Sequence, residues 1–221
     1  MSSSALANAK ADLRARIHQS RLRASQDPTS WRSKNTQLSM HITNYVHAQR
    51  SNKQSLRIAA YVPLADEPGA EVLLEALAEI TDELWLPICR PGFQLNWALY
   101  DGPDSLHVPN PRLPVAEPIA DGIPSKQCLP NLDLVVVPAL AIDHNGFRLG
   151  KGAGFYDRAL AAAREQVTGT NPSAPTTMPE LLGIVFTAEI FSQVPHDHHD
   201  CSMDKIVTEH GIRNLNRTSA V

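Results

Sequence analysis

The segment 132–160, LDLVVVPALAIDHNGFRLGKGAGFYDRAL, constrains the fold more tightly than any other part of the chain. Leu132 and residues 134–137 surround one acid, Asp133, and end at Pro138. A short β-branched run bounded by proline predicts a strand buried on both faces, as in a parallel sheet. A polar turn (Asp143, His144, Asn145, Gly146) follows, then Arg148-Leu149-Gly150-Lys151-Gly152-Ala153-Gly154, then a helix starting near Phe155. Strand, glycine-rich loop and helix start aim unpaired backbone N–H groups at an anion, usually a phosphate. Glycines at alternate positions let the backbone come close to a ligand. Arg148 and Lys151 add two positive charges. The bland alternative is a loop that only turns the βα corner.

Two familiar phosphate motifs do not fit. A P-loop needs GxxxxGK[ST], and neither Ser nor Thr follows Lys151. A dinucleotide fingerprint needs GxGxxG, whereas this loop reads GxGxG with Phe155, Tyr156 and Asp157 directly behind it.

The pattern RLGxGxGxYDR, preceded by VPALAID, resembles the signature of the 5-formyltetrahydrofolate cyclo-ligases, also called 5,10-methenyltetrahydrofolate synthetases. The resemblance implies ATP- and Mg²⁺-dependent closure of 5-formyltetrahydrofolate to the methenyl form. It assigns Arg148, Leu149, Gly150, Lys151, Gly152, Ala153, Gly154, Phe155 and Tyr156 to ATP. It places Lys10 and Arg14 on the phosphates, and Asp157 and Asp204 on magnesium. Val62, Glu67, Tyr156 and Glu189 fall at folate-binding places, and Lys10, Arg148 and Tyr156 at catalytic ones. The late pattern "VP…HD…D.vvTE" matches His199, Asp200, Asp204, Thr208 and Glu209. Four positions depart from the usual family residues: Lys151, Ala153, Phe155, and Glu189 where glutamine is customary.

Several of these residues have ordinary explanations beside the functional one. Residues 4–24 read as a basic helix with a partial apolar stripe of Leu6, Leu13, Ile17 and Leu22. Lys10 and Arg14 share a face at i, i+4, which equally describes a solvated surface. Glu67 and Asp157 stand near predicted helix starts, where the macrodipole favours a carboxylate. Glu71 is an alternative cap in the same turn as Glu67. Tyr156 also reads as a half-buried packing residue.

Elsewhere, Asp27-Pro28 predicts the start of a helix over 28–50 whose core face holds Trp31, Leu38, Ile42 and Val46. Strands are expected over 56–64, 83–88, 93–100 and 181–186, with a helix over 70–80. The stretch 101–131 reads as an irregular crossing. The segment 194–200 holds three histidines and two aspartates, but adjacent residues of an extended segment point opposite ways, so a solvated loop is favoured over zinc.

The expected fold is a single-domain α/β architecture over 1–221, a three-layer, mostly parallel Rossmann-like sheet of about five to seven strands with helices on both faces. At 221 residues the chain can bury a full core. A net charge of −3 gives no footprint for nucleic acid, and no apolar run reaches the roughly 18 residues of a membrane span. The opening MSSSALANAK lacks a signal-peptide core. Three scattered cysteines suit a reducing compartment. A cytoplasmic monomer acting on small molecules (ATP and a reduced folate) is the expectation. Two alternatives stay open: a sugar-phosphate isomerase or CoA-transferase-like enzyme on the same scaffold, and a non-catalytic nucleotide- or folate-binding regulator.

Overall fold

The structure is a computed structural model that describes residues 3–50, 53, 55–110, 114–169, 175, 177–197 and 200–215. Two long helices open the chain, α1 (Ser3–Ala24) and α2 (Pro28–Arg50). The Asp27 side chain accepts the Ser30 N–H at 3.1 Å, so the expected cap and the proline at the first helical position both start α2. Then come β1 (Arg57–Ala59), α3 (Leu73–Ala78), β2 (Glu83–Arg90) and β3 (Gln94–Leu99). The crossing that follows carries short pieces: β4 (Leu106–His107), β5 (Glu117–Pro118), β6 (Ile123–Pro124) and α4 (Ser125–Cys128). The central region holds β7 (Leu134–Pro138), β8 (Ala141–Asp143), β9 (Arg148–Leu149) and α5 (Phe155–Thr168). The last elements are β10 (Glu180–Ile184), β11 (Ile190–Phe191), β12 (Lys205–Thr208) and β13 (Gly211–Asn214).

Among the described residues the main sheet has eight strands in the order β13-β12-β10-β7-β1-β2-β3-β6. The five from β12 to β2 are parallel, and β13, β3 and β6 add antiparallel edges. β7 lies at the centre, and its alternate residues feed opposite cores. Val135 and Val137 pack with Leu160 and Ala163 of α5, whereas Leu134 and Val136 pack with Leu38, Ile42 and Val46 of α2. This alternation places helices on both faces.

The expected strand over 56–64 is cut to three residues. β1 pairs with β2 only as far as Trp85, and the chain then leaves the sheet. Two positions on, Pro87 sits inside β2, where its missing N–H is no loss because β1 has already departed. Proline in this strand thus marks where the sheet opens.

A second sheet, β11-β8-β9, carries α1, whose Leu13 and Ile17 pack on Leu140, Ala141, Leu149 and Val194. The expected α1 stripe is corrected at its end: Leu22 is exposed and Arg21 is buried in its stead. Asp143, expected in a surface turn, is fully buried and accepts N–H groups from Asn145, Phe147 and Val194. That carboxylate fixes the entry to the glycine-rich loop. No described helix is long and apolar enough to cross a membrane.

Candidate active site

The chain builds β1, β2 and β3 on one side of the sheet before returning to β7 on the other side of β1. The carboxyl ends of β1 and β7 therefore flank the point where the strand order reverses, the usual ligand crevice of an open α/β sheet. A cavity of about 330 Å³ lies there. Its walls include Tyr61 and Val62 beyond β1, Pro138 at the end of β7 with Ala139 and Leu140 beyond it, Pro87 and Cys89 of β2, and residues 148–157.

The loop side is set by glycine geometry. Gly154 is the residue before α5 and holds φ +73°, and Gly152 holds φ +109°. Arg14 from α1 lies against the loop. Its Nε donates to the Gly150 carbonyl at 2.9 Å, and a Cβ on Gly152 would stand 3.4 Å from its guanidinium carbon. The unpaired N–H groups at the start of α5 and the helix dipole both favour an anion there.

Four cations (Lys10, Arg14, Arg148, Lys151) and four carboxylates (Glu67, Glu117, Asp157, Asp200) line the cavity. Lys10 reaches Asp200 at 2.7 Å and Asp197 at 3.4 Å, Arg148 reaches Asp157 at 2.7 Å, and Lys151 reaches Glu67 at 2.7 Å. Arg148 is only 5% exposed, yet its Nε has no partner. An unsatisfied buried guanidinium nitrogen on a residue that lines a cavity suits a ligand oxygen. The Tyr156 hydroxyl is likewise buried without a partner, and its ring packs edge-on against Trp97. Burial pushes this phenol above its ordinary pKa, with nearby Arg148 opposing, so it remains a neutral donor. Burial also pushes the Cys89 thiol up to about 12.

The model of the 5-formyltetrahydrofolate cyclo-ligase family matches residues 6–209. The 5-formyltetrahydrofolate cyclo-ligase of Mycolicibacterium smegmatis is 34% identical over 158 residues, which is 68% of this chain and 72% of that one. The Mus musculus enzyme of the same name is 28% identical over 217 residues, covering 91% of this chain and 94% of its own. This chain belongs to the 5-formyltetrahydrofolate cyclo-ligase family. Its members are ligases, and the fold agrees. The solved 5,10-methenyltetrahydrofolate synthetase of Aquifex aeolicus superposes with a TM-score of 0.68 at 24% identity, over 96% of this chain and 95% of that one.

Within this cyclo-ligase fold, the cavity gathers Lys10, Arg14, Val62, Glu67 and the whole run from Arg148 to Asp157. Two expected site residues lie elsewhere. Asp204 precedes β12, at the amino end of the parallel strands, where its carboxylate accepts the Leu181 N–H at 2.9 Å. It is a strand-start brace on the edge of the sheet away from the cavity. Glu189 is 4% exposed and pairs with Arg21 rather than facing the pocket.

Asp200, given no role of its own by the motif, lines the same cavity as Asp157. Its signal was present in sequence but sat among His196, Asp197, His198 and His199. His196 stacks on Phe147 at 3.6 Å, and His198 and His199 lie outside the described residues. No group of three or more possible metal ligands occurs among the described residues. Tyr61, Cys89, Glu117 and Arg21 also carried no signal, because each is placed by tertiary contacts alone.

Proposed function

We propose that this chain, as one domain, closes 5-formyltetrahydrofolate to 5,10-methenyltetrahydrofolate while converting ATP to ADP and phosphate. The observation that carries this reading is one cavity with two chemically different ends. At one end a glycine loop, a helix start and four cations suit a triphosphate. At the other, Val62, Pro87, Leu95 and Tyr61 line the cavity with the largely buried Glu67 carboxylate, which suits a pterin ring with N–H donors.

A formamide oxygen must become a leaving group before a second amine can displace it. In the proposed sequence the formyl oxygen attacks the γ-phosphorus and ADP departs. N10 then bonds to the activated formyl carbon, the carbon–oxygen bond breaks, and phosphate leaves with the N10 proton. Lys10, Arg14 and Arg148 hold the phosphates and offset the charge that accumulates on them. Arg148 Nε and the Tyr156 hydroxyl, both unpartnered, supply donors close to the transferring group. The enclosed walls keep water from the activated formyl carbon.

Asp157 and Asp200 fit a magnesium ion by donor chemistry: hard carboxylate oxygens in the phosphate half of the cavity. When bound there, magnesium supplies neutralisation of the triphosphate charge. The ion pairs to Arg148 and Lys10 leave both carboxylates accessible once the phosphates claim those cations. In this reading the enzyme acts on small molecules as a cytoplasmic monomer.

The test is the near-ultraviolet absorbance of the methenyl product with purified protein. It should rise only when 5-formyltetrahydrofolate, ATP and Mg²⁺ are all present, and collapse in Asp157→Ala and Lys10→Ala. No rise, despite ATP binding, contradicts the function. A rise without ATP contradicts the phosphorylated-formyl route.

A further inference from the structure

Lys151 stands on the phosphate loop, yet its ammonium lies 2.7 Å from Glu67 Oε1, at the pterin end. The pair ties the glycine-rich loop to the turn that follows β1, and both residues line the cavity. The two partners differ in freedom. The Glu67 side chain is 9% exposed, and its other oxygen accepts the Leu64 N–H at 2.9 Å, so it is held in place. The Lys151 side chain is 52% exposed and flanked by Gly150 and Gly152. If the pair breaks, Lys151 is the partner that moves.

We propose that Lys151 is a strap shared between two ligands: it covers Glu67 in the empty enzyme and swings to the triphosphate when nucleotide binds, uncovering the carboxylate for the folate. This rests on the ATP and folate reading of the pocket. The physical reason is a difference in partners. A carboxylate offers one negative charge, whereas a triphosphate offers several and lies beside the same loop. Once the lysine leaves, Glu67 is a largely buried charge with one neutral donor, and a ligand presenting N–H groups to it restores the lost hydrogen bonding. Binding of either ligand therefore favours the other, and by linkage the factor is the same in both directions. The remaining cations do not act this way. Lys10 and Arg148 pair with Asp200 and Asp157 inside the phosphate half and span nothing.

The test is calorimetric binding of 5-formyltetrahydrofolate in Mg²⁺ buffer, with and without a non-hydrolysable ATP analogue. In the wild type the analogue should tighten folate binding by about tenfold, within the usual range of coupling between sites. Lys151→Met should bind folate more tightly than wild type in the absence of nucleotide, and the coupling should shrink towards onefold. Lys151→Arg, which can still reach both partners, should restore most of it. An unchanged coupling factor in Lys151→Met overturns the strap, as does a wild type that turns over normally but shows no coupling. A wild type that neither binds the folate nor turns it over overturns the pocket reading itself, and the strap with it.

Discussion

Arg21 and Glu189 form a two-point ion pair, with Nε to Oε1 at 2.6 Å and Nη2 to Oε2 at 2.9 Å, and both side chains are nearly sealed from solvent. Arg21 Nη2 also donates to the Ala139 carbonyl, and Glu189 accepts the Phe186 N–H. The pair thus pins α1 to the chain just beyond β7 and to the turn beyond β10. It holds in register the helix that delivers Lys10 and Arg14. The Glu189 carboxylate answers the buried arginine and does not line the cavity. Burial raises the Glu189 pKa, and the guanidinium draws it back. Glu189→Ala should lose about 3–5 kcal/mol in urea unfolding, because it strands a buried charge. The double variant Arg21→Met, Glu189→Leu should recover much of that loss. A loss under 1 kcal/mol in the single variant would show that the pair is not structural.

The two late aspartates should separate cleanly. Asp200→Asn should raise the Mg²⁺ concentration needed for half-maximal turnover several-fold. Asp204→Asn should leave that requirement unchanged and weaken folding by about 1–3 kcal/mol through the Leu181 contact. Magnesium titrations of both variants decide. The opposite ranking would return Asp204 to the metal.

Gly152 is strained for any other residue and faces Arg14. Gly152→Ala should cost about 1–3 kcal/mol, from the left-handed backbone. Because the strain falls on the loop proposed to hold the phosphates, the KM for ATP should rise more than that for the folate. Steady-state kinetics in both substrates measure this, and equal changes would argue against a nucleotide role for the loop.

Cys89 lines the cavity, but its thiol is pushed up to about 12 by burial and by the neighbouring Glu117 carboxylate. The thiolate is the reactive form, so the sign is definite: alkylation should be slow near neutrality and climb about tenfold per pH unit towards the raised pKa. Peptide-resolved alkylation rates between about pH 7 and 10 check this. A plateau near the ordinary thiol pKa of about 8.5 would contradict the assigned environment.

The chain wrote its central strand, glycine loop and following helix openly, since these depend on local apolar runs and on glycine. Residues 134–138 and 155–168 appear as elements where those signals stand. The two-residue strands β4, β5, β6, β9 and β11 had no such signal, because tertiary pairing creates them. The site divides the same way. Lys10 and Arg14 were legible as an i, i+4 pair, and 148–157 as a glycine-rich loop, and all of them line the cavity. Which late carboxylate lines the same cavity as Asp157 was not legible. The resemblance assigns Asp204 and gives Asp200 no role, and only the strand register shows that Asp204 stands at the amino end of the parallel strands while Asp200 lines the cavity. Arg21 looked like one more basic residue on a solvated face, and nothing short of the fold reveals that it is sealed.

The central claim is that the formyl oxygen is phosphorylated and leaves as part of phosphate. The most direct measurement is a single turnover with heavy oxygen in the formyl group, followed by mass analysis of the inorganic phosphate. The account predicts one labelled oxygen in each phosphate released. Unlabelled phosphate, with the heavy oxygen appearing in water, would contradict it.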